Sequence, residues 1–332
     1  MQAIPTRRRQ LTAALALLPF AGLSGFSGAA LANTTYPNKP IRLVVPYPPG
    51  GSTDLLARLL SKQFFPAANQ PTVVENTGGA GGNIGAQMVV RAPADGYTLE
   101  VGAMSQHAMN GSLYKGLTFD PMADFVPVAM LAYVVNVIAV STRLPVNNLA
   151  ELLAYIKSHP GKVNYSSGGI GSHNHLTLEY LARFANLKMT HVPYRGGGPA
   201  VAALVAGEVD LFAGGASLLM PQAHAGKVKL IAVTEARRSE LLPDVPAVAE
   251  SISNFEVSNW YGIFARSNLP GPLLAQINRE VDRAMSEPAT KQQLRDRGMT
   301  HTVMSPAQLD KLLKAEHKRW SDIITSMNIA AE

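Results

Sequence analysis

The sequence predicts an α/β protein of two lobes, each a sheet flanked by helices, with a ligand cleft between the lobes. Three observations predict it. Beyond the first 32 residues, short apolar runs alternate with segments of helical periodicity, the pattern of sheets covered by helices on both faces. Two segments roughly 120 residues apart share one design, in which an apolar run leads through a Gly-Gly-Ser type of turn into an amphipathic helix. Two long extended stretches, residues 124–140 and 255–264, bracket a self-contained α/β block, so the chain crosses from one lobe to the other and back.

In chain order, residues 1–32 have a basic start at Arg7, Arg8 and Arg9, a short apolar stretch, and small residues ending in Ala30-Leu31-Ala32. That is the form of a cleaved secretory signal, and Pro19, Gly22, Gly25 and Gly28 make it a poor membrane-spanning helix. Thr6 to Leu11 partly matches a twin-arginine signal, with Gln10 where an apolar residue is usual, so the export route stays open. The export signal predicts a periplasmic protein. Strands are expected at 41–45, 72–74, 98–101, 126–140, 163–165, 189–192 and 229–233. Helices are expected at 54–65, 85–91, 149–158, 175–185 and 199–206, with a mostly helical C-terminal part from 272 to 331. The alternation argues for parallel sheets. The crossings divide the chain into a discontinuous first lobe, 33–132 plus 255–332, and a second lobe, 133–254.

Composition bounds the function. Hydrophobic residues make up 47% and charged residues 16% of the 332, which suits about two packed domains. Of 29 Lys and Arg against 23 Asp and Glu, three arginines lie in the leader; 26 against 23, or +3, remain for the rest. Those cations are scattered, without the basic stripe that nucleic acid requires. There is no cysteine, so thiol catalysis, disulfides and thiolate-bound metals are excluded. No G-x-S-x-G elbow, P-loop lysine motif or H-E-x-x-H occurs, and the reading is of a non-enzymatic protein without a cofactor.

The two Gly-Gly-Ser segments point to an anion. Glycine lets the backbone approach a ligand closely. The first turn of a helix offers unpaired N–H groups and about half a unit of positive charge, so it holds an anion without a cationic side chain. The first segment is IRLVV followed by Pro46 to Asp54, and the second is VNY followed by Ser166 to Asn174. Two such turns suggest two lobes gripping one anion.

Several segments then follow one another in a known order: YPNKPIRLVVPYPPGGSTDLLARLL, VVENTGGAGGNIGA, RAPADGYTL, HVPYRGGGPAVAALVAGEVDL and LLPDVPAVAES. Across essentially everything past the leader, the chain resembles the Bug-type periplasmic solute receptors, the binding components of tripartite tricarboxylate transporters. The resemblance implies a type II-like periplasmic binding protein fold, a small carboxylate held between two strand–helix loops, and membrane permease subunits as partners. Docking on a membrane sensor kinase is an alternative the sequence leaves open. An enzyme working on a carboxylate in the same cleft is the remaining one.

Under the resemblance, Tyr47 to Asp54 is the first ligand loop. Gly50 and Gly51 would permit close approach, Ser52 and Thr53 would donate hydrogen bonds, and Tyr47 would form a wall. Ser52, Thr53 or Asp54 would equally suit a helix N-cap, and capping is the role that the Asp54 charge favours. In the second loop, Ser167, Gly169 and Ser172 would repeat that chemistry. His173-Asn174-His175 departs from the small residues associated with the family there, and an imidazole could bond a distal ligand group or simply cap carbonyls. Two histidines at this spacing without a carboxylate make a poor metal site. Tyr194 and Arg195 open a third loop, where Arg195 would clamp a carboxylate or form an ordinary ion pair. Residues 78–85 do not make a dinucleotide fingerprint, because Ile84 stands where the last glycine belongs; they are expected to shape a loop near the cleft. Trp260 and Tyr261 are candidates to line it.

Overall fold

The computed structural model describes residues 36–327 and 329–330; the signal segment falls outside them. The chain starts with β1 (Ile41–Val45), whose apolar residues are buried, then α1 (Ser52–Ser61), β2 (Thr72–Asn76), α2 (Asn83–Arg91) and β3 (Thr98–Ala103). Two short helices, α3 (Met104–Ala108) and α4 (Asn110–Leu113), precede the crossing pair β4 (Phe125–Val134) and β5 (Asn136–Ser141). The block beyond comprises α5 (Leu149–Ser158), β6 (Asn164–Ser167), α6 (His173–Ala185), β7 (Thr190–Pro193), α7 (Gly197–Ala206), β8 (Leu211–Gly215), α8 (Ala216–His224) and β9 (Val228–Val233). The chain returns through β10 (Trp260–Arg266) and ends with α9 (Gly271–Ser286), α10 (Pro288–Arg295), β11 (Met299–Thr300) and α11 (Pro306–Met327).

These strands form two sheets, in the orders β11-β4-β10-β3-β1-β2 and β7-β6-β8-β5-β9. The expectation of parallel sheets is corrected. β1 is parallel to β2 and β3, and β6 to β7 and β8, but β10 runs antiparallel to β3 and β4, and β5 to β8 and β9. The reason is the crossings: the strands that bring the chain into each sheet from the other, β5 and β10, lie against the direction set by the strand–helix–strand units, while β4 keeps that direction beside β10. The expected run 126–140 is therefore two strands, one in each sheet, parting at Val135. Of the expected stretch 255–264, only the part from Trp260 is strand.

Helices cover both faces. Leu56, Leu59 and Leu60 of α1 pack with Leu43, Val45, Leu99, Ile277 and Val281 on one face of the larger sheet. Ala200, Leu204 and Leu219 cover one face of the smaller sheet with Val137 and Phe212. A third apolar cluster is shared by both sheets and includes Met130, Ile138, Leu176 and Trp320. Its seam is aromatic: Tyr180 of α6 lies 6.0 Å from Trp320 of α11 and 5.3 Å from Phe255. The C-terminal helix packs on β4 of the larger sheet and also braces the smaller one through α6. Among the described residues no helix is long and apolar enough to cross a membrane.

Candidate functional site

Four helices begin at one place. α1, α6, α7 and α8 each follow a strand, and their N-terminal turns converge where ligands bind in open α/β sheets, beyond the carboxyl ends of the strands. The turns enclose a cavity of about 70 Å³ lined by Tyr47, Gly51, Ser52 and Thr53 from one side and by Ser172, His173, Asn174, Gly197 and Gly198 from the other. At about 10–15 Å³ for each water-sized group, this is room for roughly five to seven of them. Ser105, Asn259 and Tyr261 complete the wall, and no Lys, Arg, Asp or Glu contributes to it.

The first loop keeps its helix start free. Gly51 is the N-cap of α1, and no side chain caps that helix, so neither Ser52, Thr53 nor Asp54 takes the capping role considered from sequence. The N–H groups of the first turn have no acceptor within the helix. Asp54 instead lies in that turn with its carboxylate accepting from the Gly50 N–H at 3.0 Å, Asn76 Nδ2 at 3.1 Å and Arg58 Nε at 3.0 Å. Burial would raise its carboxyl pKa, yet these bonds, Arg58 foremost, outweigh burial and hold it below the ordinary value. Gly50 has φ 90, a left-handed conformation in which a side chain is strained. Gly50 and Asp54 thus shape the turn and do not line the cavity. The Ser52 hydroxyl meets that of Ser217, in the first turn of α8, at 2.8 Å, joining the two sides of the cavity. Burial pushes the Tyr47 phenol up, and its hydroxyl donates to the Gly81 carbonyl at 3.3 Å.

In the second loop Ser172 is the N-cap of α6: its hydroxyl donates to the Gly169 carbonyl at 2.6 Å and accepts from the His175 N–H at 3.4 Å. His173 is buried, and burial pushes its imidazole down to about 4 against the pull of the Ser258 carbonyl. The neutral ring donates from Nε2 to that carbonyl at 2.8 Å, which leaves Nδ1 a buried acceptor without a partner. Asn174 Nδ2 donates to the Ala213 carbonyl at 2.7 Å. Ser167 lies behind the loop, its hydroxyl 2.6 Å from His191 Nε2 and donating to the Gly169 carbonyl, and it does not reach the cavity. His175 is likewise internal, with Nδ1 accepting from the Gly171 N–H at 3.2 Å and its ring stacked 4.1 Å from that of His191.

Gly169, Tyr194 and Arg195 line a second space, a groove of about 740 Å³ beside the cavity, which shares Tyr47, Pro48, Pro49, Gly168 and Gly196 with it. Residues 78–82 form part of its wall. Tyr261 does line the cavity, whereas Trp260 is fully buried in the shared core. Sequence reasoning missed Ser105, Asn259 and the whole start of α8. The last had a signal: Leu211 to Ser217 repeats the apolar run, paired glycines and serine of the two recognised loops.

Residues 56–329 match the sequence profile described as tripartite tricarboxylate transporter family receptor. The chain belongs to that family. This receptor is 31% identical to Protein BugT of Bordetella pertussis, over 89% of its own length and 91% of the other. Among solved structures it is similar to R. palustris Rpa4515 with adipate, at 32% identity, TM-score 0.86 and coverage of 89% and 99% of the two chains. It is similar also to MatC from Rhodopseudomonas palustris with bound malate, at 33% identity, TM-score 0.82 and coverage of 87% and 100%. The receptor therefore has the two-lobed α/β fold of periplasmic solute-binding proteins.

Proposed function

We propose that this receptor captures a small organic carboxylate in the 70 Å³ cavity and hands it to the permease subunits of its transporter. The observation that carries the reading is the meeting of four helix starts at a cavity without a charged side chain. Each helix terminus contributes about 0.3–1 kcal/mol toward an anion at the surface and up to ~2 kcal/mol where partly buried. Hydrogen bonds to a charged group add about 1.5–3 kcal/mol each. Backbone N–H groups of Ser52, Thr53, His173, Asn174, Gly197 and Gly198 are the donors we assign to the carboxylate, with Tyr47 and Tyr261 as walls. His173, neutral and with a spare acceptor, suits a ligand hydroxyl better than a second anion. The adipate and malate held by the two similar structures support an acid of this size class.

The lobes, 33–132 with 255–332 and 133–254, close on the ligand because it contacts both, so its affinity is greater for the closed state. The cavity brings together hydroxyls and one neutral imidazole already bonded to Ser258, with no carboxylate to orient it as a base, so the bound acid is released unchanged. Calorimetry of the purified protein against mono- and dicarboxylates tests the reading: at least one acid binds and raises the melting temperature. Failure of every acid overturns it. Mass spectrometry of the recovered ligand tests the non-catalytic part, and a pull-down with and without ligand separates permease docking from docking on a sensor kinase ectodomain.

A further inference from the structure

The glycine loop at 78–82 contributes nothing to the cavity wall. It seats Tyr114, the residue that ends α4. A Cβ on Gly81 would fall on the Tyr114 hydroxyl and lie 3.1 Å from Cζ of its ring, so only glycine leaves the ring its place. The φ of Gly81 is 64, a second reason for glycine there. Its carbonyl accepts from Asn110 Nδ2 at 3.1 Å and from the Tyr47 hydroxyl at 3.3 Å, which ties the seat to α4 and to the first ligand loop. Asn110 is buried and donates also to Asn83 Oδ1 at 2.7 Å. Tyr114 is thus held firmly on the larger-sheet side.

From that seat the side chain reaches the other side of the cleft. Its hydroxyl donates to the Ile170 carbonyl at 3.0 Å. A Cβ on Gly171 would lie 3.5 Å from the same ring and 3.1 Å from Leu113 Cδ1, so the second ligand loop packs against the end of α4. Ile170 stands between Gly169, whose carbonyl accepts from the Ser167 and Ser172 hydroxyls, and the N-cap of α6 at Ser172. A bond to Ile170 therefore steadies a helix start that lines the cavity, although neither Tyr114 nor Ile170 lines it. Burial pushes the Tyr114 phenol up, so it remains a neutral donor.

We propose that Tyr114 is a latch, a positioning residue seated on the glycine loop of one side that fastens the second ligand loop of the other over the bound carboxylate. The proposal rests on the cavity being the carboxylate site. A bond made only when the two sides meet favours the closed state, and a ligand that requires that state gains affinity by the same factor. The bond forms after the acid enters and breaks before it leaves, so it acts on release and not on association.

The test uses the full protein and a panel of mono- and dicarboxylates, adipate and malate among them, with association and release followed by stopped-flow fluorescence. Tyr114→Phe keeps the ring and loses the hydroxyl. It should release a bound acid about fivefold faster, the factor of one neutral hydrogen bond, with the association rate and the acid-free melting temperature unchanged. Tyr114→Ala, which also empties the seat, should release it faster still. A release rate in Tyr114→Phe equal to that of the wild type, or an association rate that falls as much as release rises, overturns the latch alone. Failure of every acid to bind overturns the cavity reading and the latch together.

Discussion

Asp54 is the one acidic residue in the loop proposed to hold an anion. A carboxylate in a loop meant for anions should repel the ligand, but Asp54 is turned onto Gly50, Asn76 and Arg58, and its charge is spent inside the turn. The sequence could pair Asp54 with the helix start; it could not reveal Asn76, which arrives from β2. Asp54→Asn loses the Arg58 pair and weakens the bond to Gly50, with an expected cost of about 1–2 kcal/mol in stability, read by denaturant unfolding, and weaker acid binding, read by calorimetry. An unaltered affinity would show that the turn holds its shape without that carboxylate. The three buried or half-buried histidines around the second loop follow the opposite logic. Burial pushes His173, His175 and His191 down to about 4 from an ordinary value of 6.5, so the folded chain binds fewer protons than the unfolded one in between. Stability is therefore complete above about 6.5 and is lost as pH falls toward 4. The melting temperature should drop across that window, and His191→Gln should flatten the slope by removing one of the stacked pair; an unchanged slope would assign the acid sensitivity elsewhere.

At the level of elements, the strand–turn–helix units were legible because each combines a short apolar run, glycines and a leucine stripe. β8 was not, since Leu211 to Gly215 has no β-branched residue and ends in two glycines, both unfavourable marks for a strand. It forms because the sheet places it between β6 and β5. Strand direction was also hidden, since periodicity reports which face is buried and is silent on orientation. The glycine loop before α2 shows what a helix start can require of its neighbours. A Cβ on Gly85 would lie 2.8 Å from Pro46 Cα and 3.0 Å from the Thr77 carbonyl, both backbone atoms that cannot rotate aside. Gly85→Ala should thus push α2 from β1, with a loss of about 1–3 kcal/mol and weaker ligand binding through displacement of the first loop. A variant as stable as the wild type would mean that the helix seats with slack the packing does not suggest.

On the scale of the whole molecule, the chain passes between the two sheets twice, from β4 into β5 and from β9 to β10. Invisible was the carboxyl placed where they meet, because its burial comes from elements far apart in the chain. Glu235 follows β9 and accepts the N–H of Asn136, the first residue of β5, at 2.8 Å, while its other oxygen is buried without a partner. Burial pushes this carboxyl up to about 7, opposed by the Asn136 bond and assisted by the Glu256 charge. Arg237 and Arg238 line the same crevice without cancelling the shift. The folded chain thus holds a proton that the unfolded chain, with an ordinary value of 4.5, has released. The sign follows: stability from this group is full below about 4.5 and declines as pH rises through 7, by roughly 3 kcal/mol once the charge must be buried. Glu235→Gln keeps an acceptor for Asn136 and cannot ionise. It should match the wild type at pH about 5 and exceed it at pH about 8, so that the difference in unfolding free energy grows with pH. A constant difference would remove Glu235 from the pH response. A growing one would establish that the receptor carries a neutral carboxyl at its crossing strands, and would predict that lobe closure draws on the same proton if closing alters the solvent access of Glu235.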